Sequence, residues 1–372
     1  MTDTKVAPRW PVLLAARELG LGGSERQLAE TALALDRERF EPHVACFTGG
    51  GFRARELSDA GVPVLELGVR SLVSGSAIAG VARLGAYAAR HGIRLAHAFD
   101  VPSDLFVAPA ARWHRVPVVL TSQRAHRDLT PGFSRHLLRL TDRIADGIVV
   151  NSRAVARELE TEEGVPASMI RLAYNGVDID LFRRDGPAAE TPWRGEAPVI
   201  GAVCALRPEK GLPLLLEAFA AVTGSAKLLI VGDGPVLPEL EARARALGLG
   251  SQCRFQPAQQ NVAEWLRAID VFVLPSLSEA LSNSLLEAMA CGCCPIASDT
   301  GGNPELVKDG ACGLLFPSGN ASALAGCLRA VLGDRELRRR LAAEAESRAR
   351  REFSRAAAAA RMAAIYEEFL TR

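Results

Sequence analysis

The chain has 372 residues, a formal net charge of +1 and eight cysteines. Its length exceeds one ordinary core and suits two domains of ~150–200 residues each. A composition of 48% hydrophobic and 23% charged residues is that of a soluble globular protein, and the near-zero balance calls for neither a nucleic-acid partner nor an acidic polymer. No apolar run approaches the ~20 residues that cross a bilayer. The polar Met1–Trp10 stretch does not read as a signal peptide, so a cytoplasmic location is expected.

In chain order, short apolar runs alternate with longer amphipathic stretches, which is the pattern of parallel strands joined by crossover helices. Pro11–Ala16 reads as a first strand and Glu25–Leu35 as a helix. Val44–Thr48, Val64–Leu67, Leu95–Phe99, Pro117–Thr121 and Gly147–Val150 read as further strands of a first domain, residues 1–182. Arg183–Pro198, rich in Gly, Pro and charge, reads as a linker. A second domain, residues 183–353, repeats the alternation with strands at Val199–Cys204, Lys227–Val231, Cys253–Phe255, Val271–Leu274, Cys294–Ala297 and Gly313–Phe316. From Asp334 onward the pattern is helical. Two such α/β units predict a ligand cleft at the carboxyl ends of both sheets.

The densest chemical signals fall in the second domain. Arg207 and Lys210 follow a strand and precede a helix, where backbone amides already favour anions, and two cations there suit a diphosphate. The other reading is an exposed basic turn. Val231-Gly-Asp-Gly-Pro235 lacks the third glycine of a dinucleotide fingerprint and marks a close backbone approach. In Leu274–Ala290, Glu279 lies in a polar loop and Glu287 at the start of a helix near Ser284; a carboxylate accepts two hydrogen bonds from a vicinal diol. The amides of Leu281, Ser282, Asn283 and Ser284 would face the same space. Against this, Ser284-x-x-Glu287 also matches a capping box. Gly301 and Gly302 form a further close turn. Gly22 and Gly23 stand between the first strand and first helix, with the spacing of neither a P-loop nor a Rossmann fingerprint. Asp178-Ile-Asp180 and Cys291-Gly-Cys-Cys294 offer weak metal patterns, and no metal or other cofactor is expected.

Taken in order, these motifs resemble the retaining glycosyltransferases of family 4, over nearly the whole chain and most strongly from Tyr174 to Phe316. The resemblance rests on Gly-Gly-Ser-Glu at 22–25, Tyr-Asn-Gly-Val-Asp at 174–178, Leu-Arg-Pro-Glu-Lys-Gly at 206–211, Val-Gly-Asp-Gly-Pro at 231–235, the Glu279-x7-Glu287 pair and Gly-Gly-x-x-Glu at 301–305. It implies the GT-B fold, two Rossmann-like domains, with the last helix (354–372) returning to the first. It also implies roles: Glu287 on the donor ribose, Glu279 and the amides after it on the transferred sugar, and Arg207 and Lys210 on the diphosphate with help from Gly22 and Gly23. The expected partners are a nucleotide sugar, UDP-linked by preference, and a saccharide or lipid-linked acceptor. Three departures stand out: Ala205 and Ala280 replace a common Arg and Gly, and Gln123 stands where the family usually has a histidine. Arg124 and His126 lie close enough to take over. An epimerase or hydrolase of the same fold, and a nucleotide-sugar sensor without turnover, are the alternatives.

One surface feature bears on the acceptor. Seven arginines (112, 115, 124, 127, 135, 139 and 143) face only Asp128 and Asp142 over that stretch, and Arg135, Arg139 and Arg143 recur on one helical side among Phe133, Leu137, Leu138 and Leu140. A basic amphipathic helix of this kind predicts an anionic membrane surface as partner, at the inner face of the membrane. The alternative is a solvated basic face.

Overall fold

The structure, a computed structural model, describes residues 9–20, 22–127, 130, 132–193, 197–222, 224 and 226–372. The N-terminal run through Pro8, Asp128 of the arginine-rich stretch and Arg194–Glu196 of the linker lie outside the described residues.

The chain forms two compact units, one comprising residues up to Gly176 together with Arg355–Arg372, the other Val177–Ser354. The first contains β1 (Trp10–Ala16), α1 (Gly23–Ala34), β2 (Phe40–Cys46), α2 (Phe52–Asp59), β3 (Val64–Glu66), α3 (Gly75–His91), β4 (Leu95–Ala98), α4 (Val101–Trp113), β5 (Val118–Gln123), α5 (Gly132–Ile144), β6 (Gly147–Val150), α6 (Arg153–Thr161) and β7 (Ile170–Leu172). Its sheet is parallel throughout, in the order β3-β2-β1-β4-β5-β6-β7. The second contains β8 (Val199–Val203), α7 (Leu212–Ala220), β9 (Lys227–Val231), α8 (Leu237–Ala246), β10 (Cys253–Gln256), α9 (Val262–Arg267), β11 (Val271–Leu274), α10 (Asn283–Ala290), β12 (Cys294–Ser298), α11 (Asn303–Leu306), β13 (Leu314–Phe316), α12 (Ala321–Gly333) and α13 (Arg335–Glu352). Its parallel sheet runs β10-β9-β8-β11-β12-β13. α14 (Arg355–Leu370) completes the chain.

In each sheet the strand order reverses beside the first strand, between β1 and β4 and between β8 and β11. That reversal opens a crevice at the carboxyl ends of those strands, where open α/β sheets bind ligands. The central strands β1 and β11 are uninterrupted apolar runs because helices cover both faces: Val12–Ala16 and Val271–Val273 are fully buried. β7 is the strand the sequence pattern does not announce. It has three residues, all half-buried, and joins the sheet edge by pairing Ile148 with Ile170.

Helix starts follow local capping chemistry. Asp100 caps α4 by accepting from Ser103 N at 2.8 Å, and Ser103 completes the box on the Asp100 amide. Asp334 caps α13 through Leu337 N at 2.9 Å. The helical tail breaks at Phe353–Ser354, and Met362, Tyr366 and Phe369 of α14 join the core built on Val12, Leu14 and Phe40. The sequence pattern places the first domain's end at Phe182, whereas residues 177–182 are tied into the second unit. Val177 N donates to Phe353 O at 2.8 Å, and Arg267 Nη2 donates to Leu181 O at 2.7 Å.

Candidate functional site

In the second unit the loops after β8, β11 and β12 converge. Beyond β8 the chain makes a tight turn over Pro208–Lys210 and reaches Gly211 at φ +62°, a left-handed conformation natural to glycine. A Cβ at Gly211 would also run into the carbonyl oxygen of Pro275, in the loop after β11. Leu277 N donates to Glu209 O at 2.8 Å across the same junction. The two loops are thus laced by backbone, and their side chains follow. Lys210 Nζ donates to Glu279 Oε2 at 2.6 Å, with side chains only 20% and 11% exposed. Ser276 Oγ donates to the same carboxylate oxygen at 3.2 Å. Burial would lower the Lys210 ammonium, but the Glu279 charge and hydrogen bond outweigh it and hold the group above its ordinary value. Lys210 is therefore a fixed cation at neutral pH.

The third loop closes this arrangement from the other side. Gly302 N donates to Glu279 O at 3.2 Å, and Ser298 Oγ to Ser276 O at 2.6 Å. The Gly232-Asp-Gly234 turn serves its neighbours, because Cβ atoms there would strike the carbonyls of Cys204 and Leu206. Arg207 differs from Lys210: it is exposed, and its side chain has no ion pair or hydrogen bond among the described residues.

α10 begins at Asn283, one residue before the sequence pattern places it, because Ser282 is the N-cap and its Oγ accepts from Leu285 N at 3.2 Å. A capping box joins the N-cap to the third helical residue, here Leu285. Glu287 lies two positions further on, so the Ser284–Glu287 box does not form. Glu287 is instead a buried carboxylate, 5% exposed, in the second turn of the helix whose first amides belong to Asn283 and Ser284. Leu281 turns its side chain into the core, leaving its backbone for the loop. Arg207, Lys210, Glu279, Ser282, Asn283, Ser284 and Glu287 therefore share the carboxyl edge of one sheet, around β8 and β11.

The first unit carries the remaining site candidates on its own carboxyl edge. Gly22 is the N-cap of α1 and Gly23 its first residue; the Glu25 carboxylate, pushed up by burial, occupies the space a Gly22 side chain would need. Gln123 ends β5 at 2% exposure. Its Oε1 accepts from Arg127 Nε at 2.9 Å and its Nε2 donates to Ala125 O. Both ends of this amide thus brace the loop that follows it. Arg127 is the pivot of that brace: it is 1% exposed, grips Asp142 with two bonds of 2.8 and 2.9 Å, and donates its backbone N–H to Glu158 Oε1 at 2.7 Å. His126 Nδ1 pairs with the other oxygen of Glu158. Burial would raise the Glu158 carboxyl, but His126 and the Arg127 amide hold it below its ordinary value. Arg124 lies over the Phe99 ring, donates to Asn175 Oδ1 at 2.9 Å, and is lowered by burial to about 10.

Sequence reasoning did not find Arg127 as the organiser of this loop, nor the chain Ser122–His97–Tyr366. His97 is fully buried, with Nε2 2.8 Å from Ser122 Oγ and Nδ1 2.7 Å from Tyr366 OH. The basic stripe on α5 also changes character. Arg135 and Arg139 both bind Glu163, 2.6 and 2.8 Å through their Nε atoms, so two of its three arginines share one carboxylate, which cancels one of their charges. The metal patterns resolve into structural elements. Asp178 Oδ1 accepts from Asp180 N and Leu181 N at 3.0 and 3.2 Å, an Asx turn. Cys291 and Cys294 are buried thiols pushed up to about 12. Among the described residues no cluster of His, Cys, Asp and Glu suits a metal ion.

A family model described as glycosyl transferases group 1 matches residues 187–348, and one described as Glycosyltransferase Family 4 matches residues 21–181. The D-inositol 3-phosphate glycosyltransferase of Streptomyces bingchenggensis is 33% identical over 242 residues, 60% of this chain and 53% of that protein. The lipopolysaccharide core biosynthesis glycosyltransferase LpsE of Rhizobium meliloti is 32% identical over 49% of this chain and 51% of its own. The chain thus spans about half the length of the curated relatives it matches. Among solved structures, Anabaena HepE in complex with UDP superposes with a TM-score of 0.82 at 22% identity, over 97% of this chain and 100% of the other. The sucrose-phosphate synthase of Thermosynechococcus elongatus does so at 0.79 and 21%, over 98% and 100%. At such identities the likeness carries the GT-B fold and no more.

Proposed function

Because the chain belongs to glycosyltransferase family 4, we propose that it moves a sugar from a nucleoside diphosphate donor, UDP by preference, to a saccharide or lipid-linked acceptor with retention at the anomeric carbon. The observation that carries this reading is the part-buried Lys210–Glu279 pair, on the same sheet edge as the exposed Arg207 and the buried Glu287. A donor needs groups of those kinds. Glu287 accepts from the ribose diol, Arg207 and Lys210 meet the diphosphate, and Glu279 with the Leu281–Ser284 backbone meets the sugar hydroxyls. In the transfer, the bond from the anomeric carbon to the leaving phosphate oxygen breaks while the acceptor oxygen bonds on the same face. The leaving phosphate oxygen takes the acceptor's proton, so no carboxylate nucleophile is needed. Lys210 and Arg207 stabilise the charge that builds on the diphosphate, the part a divalent ion plays elsewhere.

On the first unit, Gly22, Gly23, Gln123 and His126 are its contribution to substrate binding, with Gln123 acting through the loop it braces. HepE, a protein of this fold, binds UDP, which makes UDP-sugars the first donors to test. A panel of UDP-, GDP- and ADP-sugars, scored for nucleotide release with and without acceptors, tests the reading. Acceptor-dependent release from one donor, unchanged by EDTA, is expected, with retention seen by NMR of the product. Release without acceptor would make the chain a hydrolase or epimerase, tight binding without release a sensor, and inversion would overturn the mechanism.

A further inference from the structure

In the second unit, three backbone carbonyls of the Ser276–Glu279 segment are taken by one neighbour, the end of β12 and the loop after it. Ser298 Oγ donates to Ser276 O at 2.6 Å, Thr300 Oγ1 to Leu277 O at 3.4 Å, and Gly302 N to Glu279 O at 3.2 Å. The loop after β8 holds the same segment by other groups: the Leu277 amide donates to Glu209 O, and the Glu279 carboxylate accepts from Lys210. Glu279 is thus placed from two sides. One side brings the cation of the pair; the other brings only neutral donors to the backbone.

Behind those neutral donors lies Asn303, fully buried like Ser298 and Ser276. Its Nδ2 donates to Ser298 O at 3.1 Å and lies 3.4 Å from Ser298 Oγ. A carbonyl can only accept, so Ser298 O fixes which end of the Asn303 amide faces it. The second N–H of that amide then faces the Ser298 hydroxyl oxygen, which leaves the hydroxyl proton directed at Ser276 O. The other end of the amide is left over: Asn303 Oδ1 has no hydrogen-bond partner among the described residues. An acceptor left open in a core costs stability, so a group kept at that cost asks for a reason. Its own pairing is not what holds it there. Arg348 of α13, 9% exposed, anchors α11 from behind, with Nε and Nη2 donating to Leu306 O and Glu305 O at 3.0 Å each.

We infer, on the reading that Glu279 meets the transferred sugar, that Asn303 and Ser298 are positioning residues for that carboxylate. Asn303 aims the Ser298 hydroxyl, the hydroxyl fixes the Ser276 carbonyl, and the carbonyl sets where Glu279 presents its oxygens. The pair therefore serves the sugar end of the donor and leaves nucleotide binding alone. Ser298→Ala removes the hydroxyl with little change of volume, and Ser276 O keeps Ser318 Oγ at 3.3 Å, so no carbonyl is stranded there. Asn303→Ala deletes the donor together with the open acceptor. Each should lower kcat for nucleotide release from the donor sugar about tenfold or more, while Kd for UDP by calorimetry stays within about twofold of wild type. In a Glu279→Ala background neither should lower kcat further by more than about twofold, because both act through that side chain. Either variant suffices if the other loses the wild-type circular dichroism. Unchanged kcat, losses that multiply in the Glu279→Ala background, or a UDP Kd that weakens in step with kcat overturns the proposal. Wild type that releases nucleotide from no donor sugar overturns the transferase reading instead. The cycle is then read in thermal melts, where Tm shifts of Ser298→Ala and Glu279→Ala that simply add overturn the positioning as well, and shifts that fail to add uphold it.

Discussion

Removing the Lys210 ammonium is the sharpest perturbation the second unit offers. In Lys210→Ala the Glu279 carboxylate, 11% exposed, loses a 2.6 Å charged partner and keeps Ser276 Oγ at 3.2 Å. The stability cost lies between that of an exposed pair, under ~1 kcal/mol, and that of a fully buried one, ~3–5 kcal/mol. With side chains 20% and 11% exposed, about 1–2 kcal/mol is expected, which moves Tm by roughly 2–8 °C in a unit of this size. The catalytic cost is larger. If Lys210 stabilises charge leaving on the diphosphate, kcat/KM falls ~10²–10³-fold, about 2.7–4 kcal/mol. Glu279→Gln keeps the cation and separates the two effects: it should lose stability comparably and lose less of kcat/KM than Lys210→Ala. The double variant should stay as inactive as Lys210→Ala while recovering part of the Tm, since no unpaired carboxylate is left. The pairing raises the Lys210 value above its ordinary 10.5, so its contribution is complete below that pH and is lost only as pH rises through the folded value. Steady-state nucleotide release and thermal melts from pH 6 to 9, where the pair stays intact, provide the two readouts. A Lys210→Ala enzyme within about threefold of wild-type kcat/KM, or one whose loss vanishes under conditions that restore its fold, would refute the reasoning.

Glu287→Ala should weaken binding of the donor nucleotide by about 2–3 kcal/mol, roughly 30- to 150-fold in Kd by calorimetry, because a carboxylate that accepts two hydroxyls is removed; an unchanged Kd would exclude a ribose contact. Tyr366→Phe leaves His97 Nδ1 without its 2.7 Å partner in the core of the first unit, and should lower stability by about 1–2 kcal/mol in urea melts with kcat preserved. Glu368 is held down to about 2 by hydrogen bonds from Arg171, and from Arg372. Its stabilisation is therefore present above the ordinary 4.5 and lost as pH falls from there towards the folded value. At 38% exposure it is worth less than ~1 kcal/mol, so the urea midpoints of wild type and Glu368→Gln should converge at the acid end and differ slightly at pH 6.

How far these features were legible in the sequence depended on whether they were local. Val12–Ala16 and Val271–Val273 are continuous apolar runs between turn residues, and burial on both faces of a parallel sheet is the physics that writes such runs. β7 is only Ile170–Leu172, half-buried at a sheet edge, where no pattern distinguishes three residues from a loop. The first domain's end at Gly176 was equally hidden. Nothing in Val177–Phe182 differs in composition from what precedes it; the bond from Val177 N to Phe353 O places it, and its partner lies far away in sequence.

The same rule decides the site. Glu279 and Glu287 stand out because a fixed spacing across a strand end, a loop and a helix start is written in one segment. The fate of Glu287 is not, since Ser282 and Ser284 are equally good caps by residue type. Only the loop's path selects Ser282, and with it excludes the capping-box role for Glu287. Gln123 runs the opposite way. The family resemblance marks it as a site residue, at the place of a usual histidine, yet its amide serves Arg127 and Ala125, because Arg127 is drawn inward by Asp142 on α5 and by Glu158 on α6. A buried arginine needs such partners, and they come from elements that the linear chain keeps apart. The arginine-rich stretch shows the consequence for charge: counted along the sequence it is an excess, whereas in the fold Glu163, from outside the stretch, binds two of its members and cancels one further charge. The cations that remain exposed lie on α3 as well as α5, so no count over residues 112–143 alone describes them.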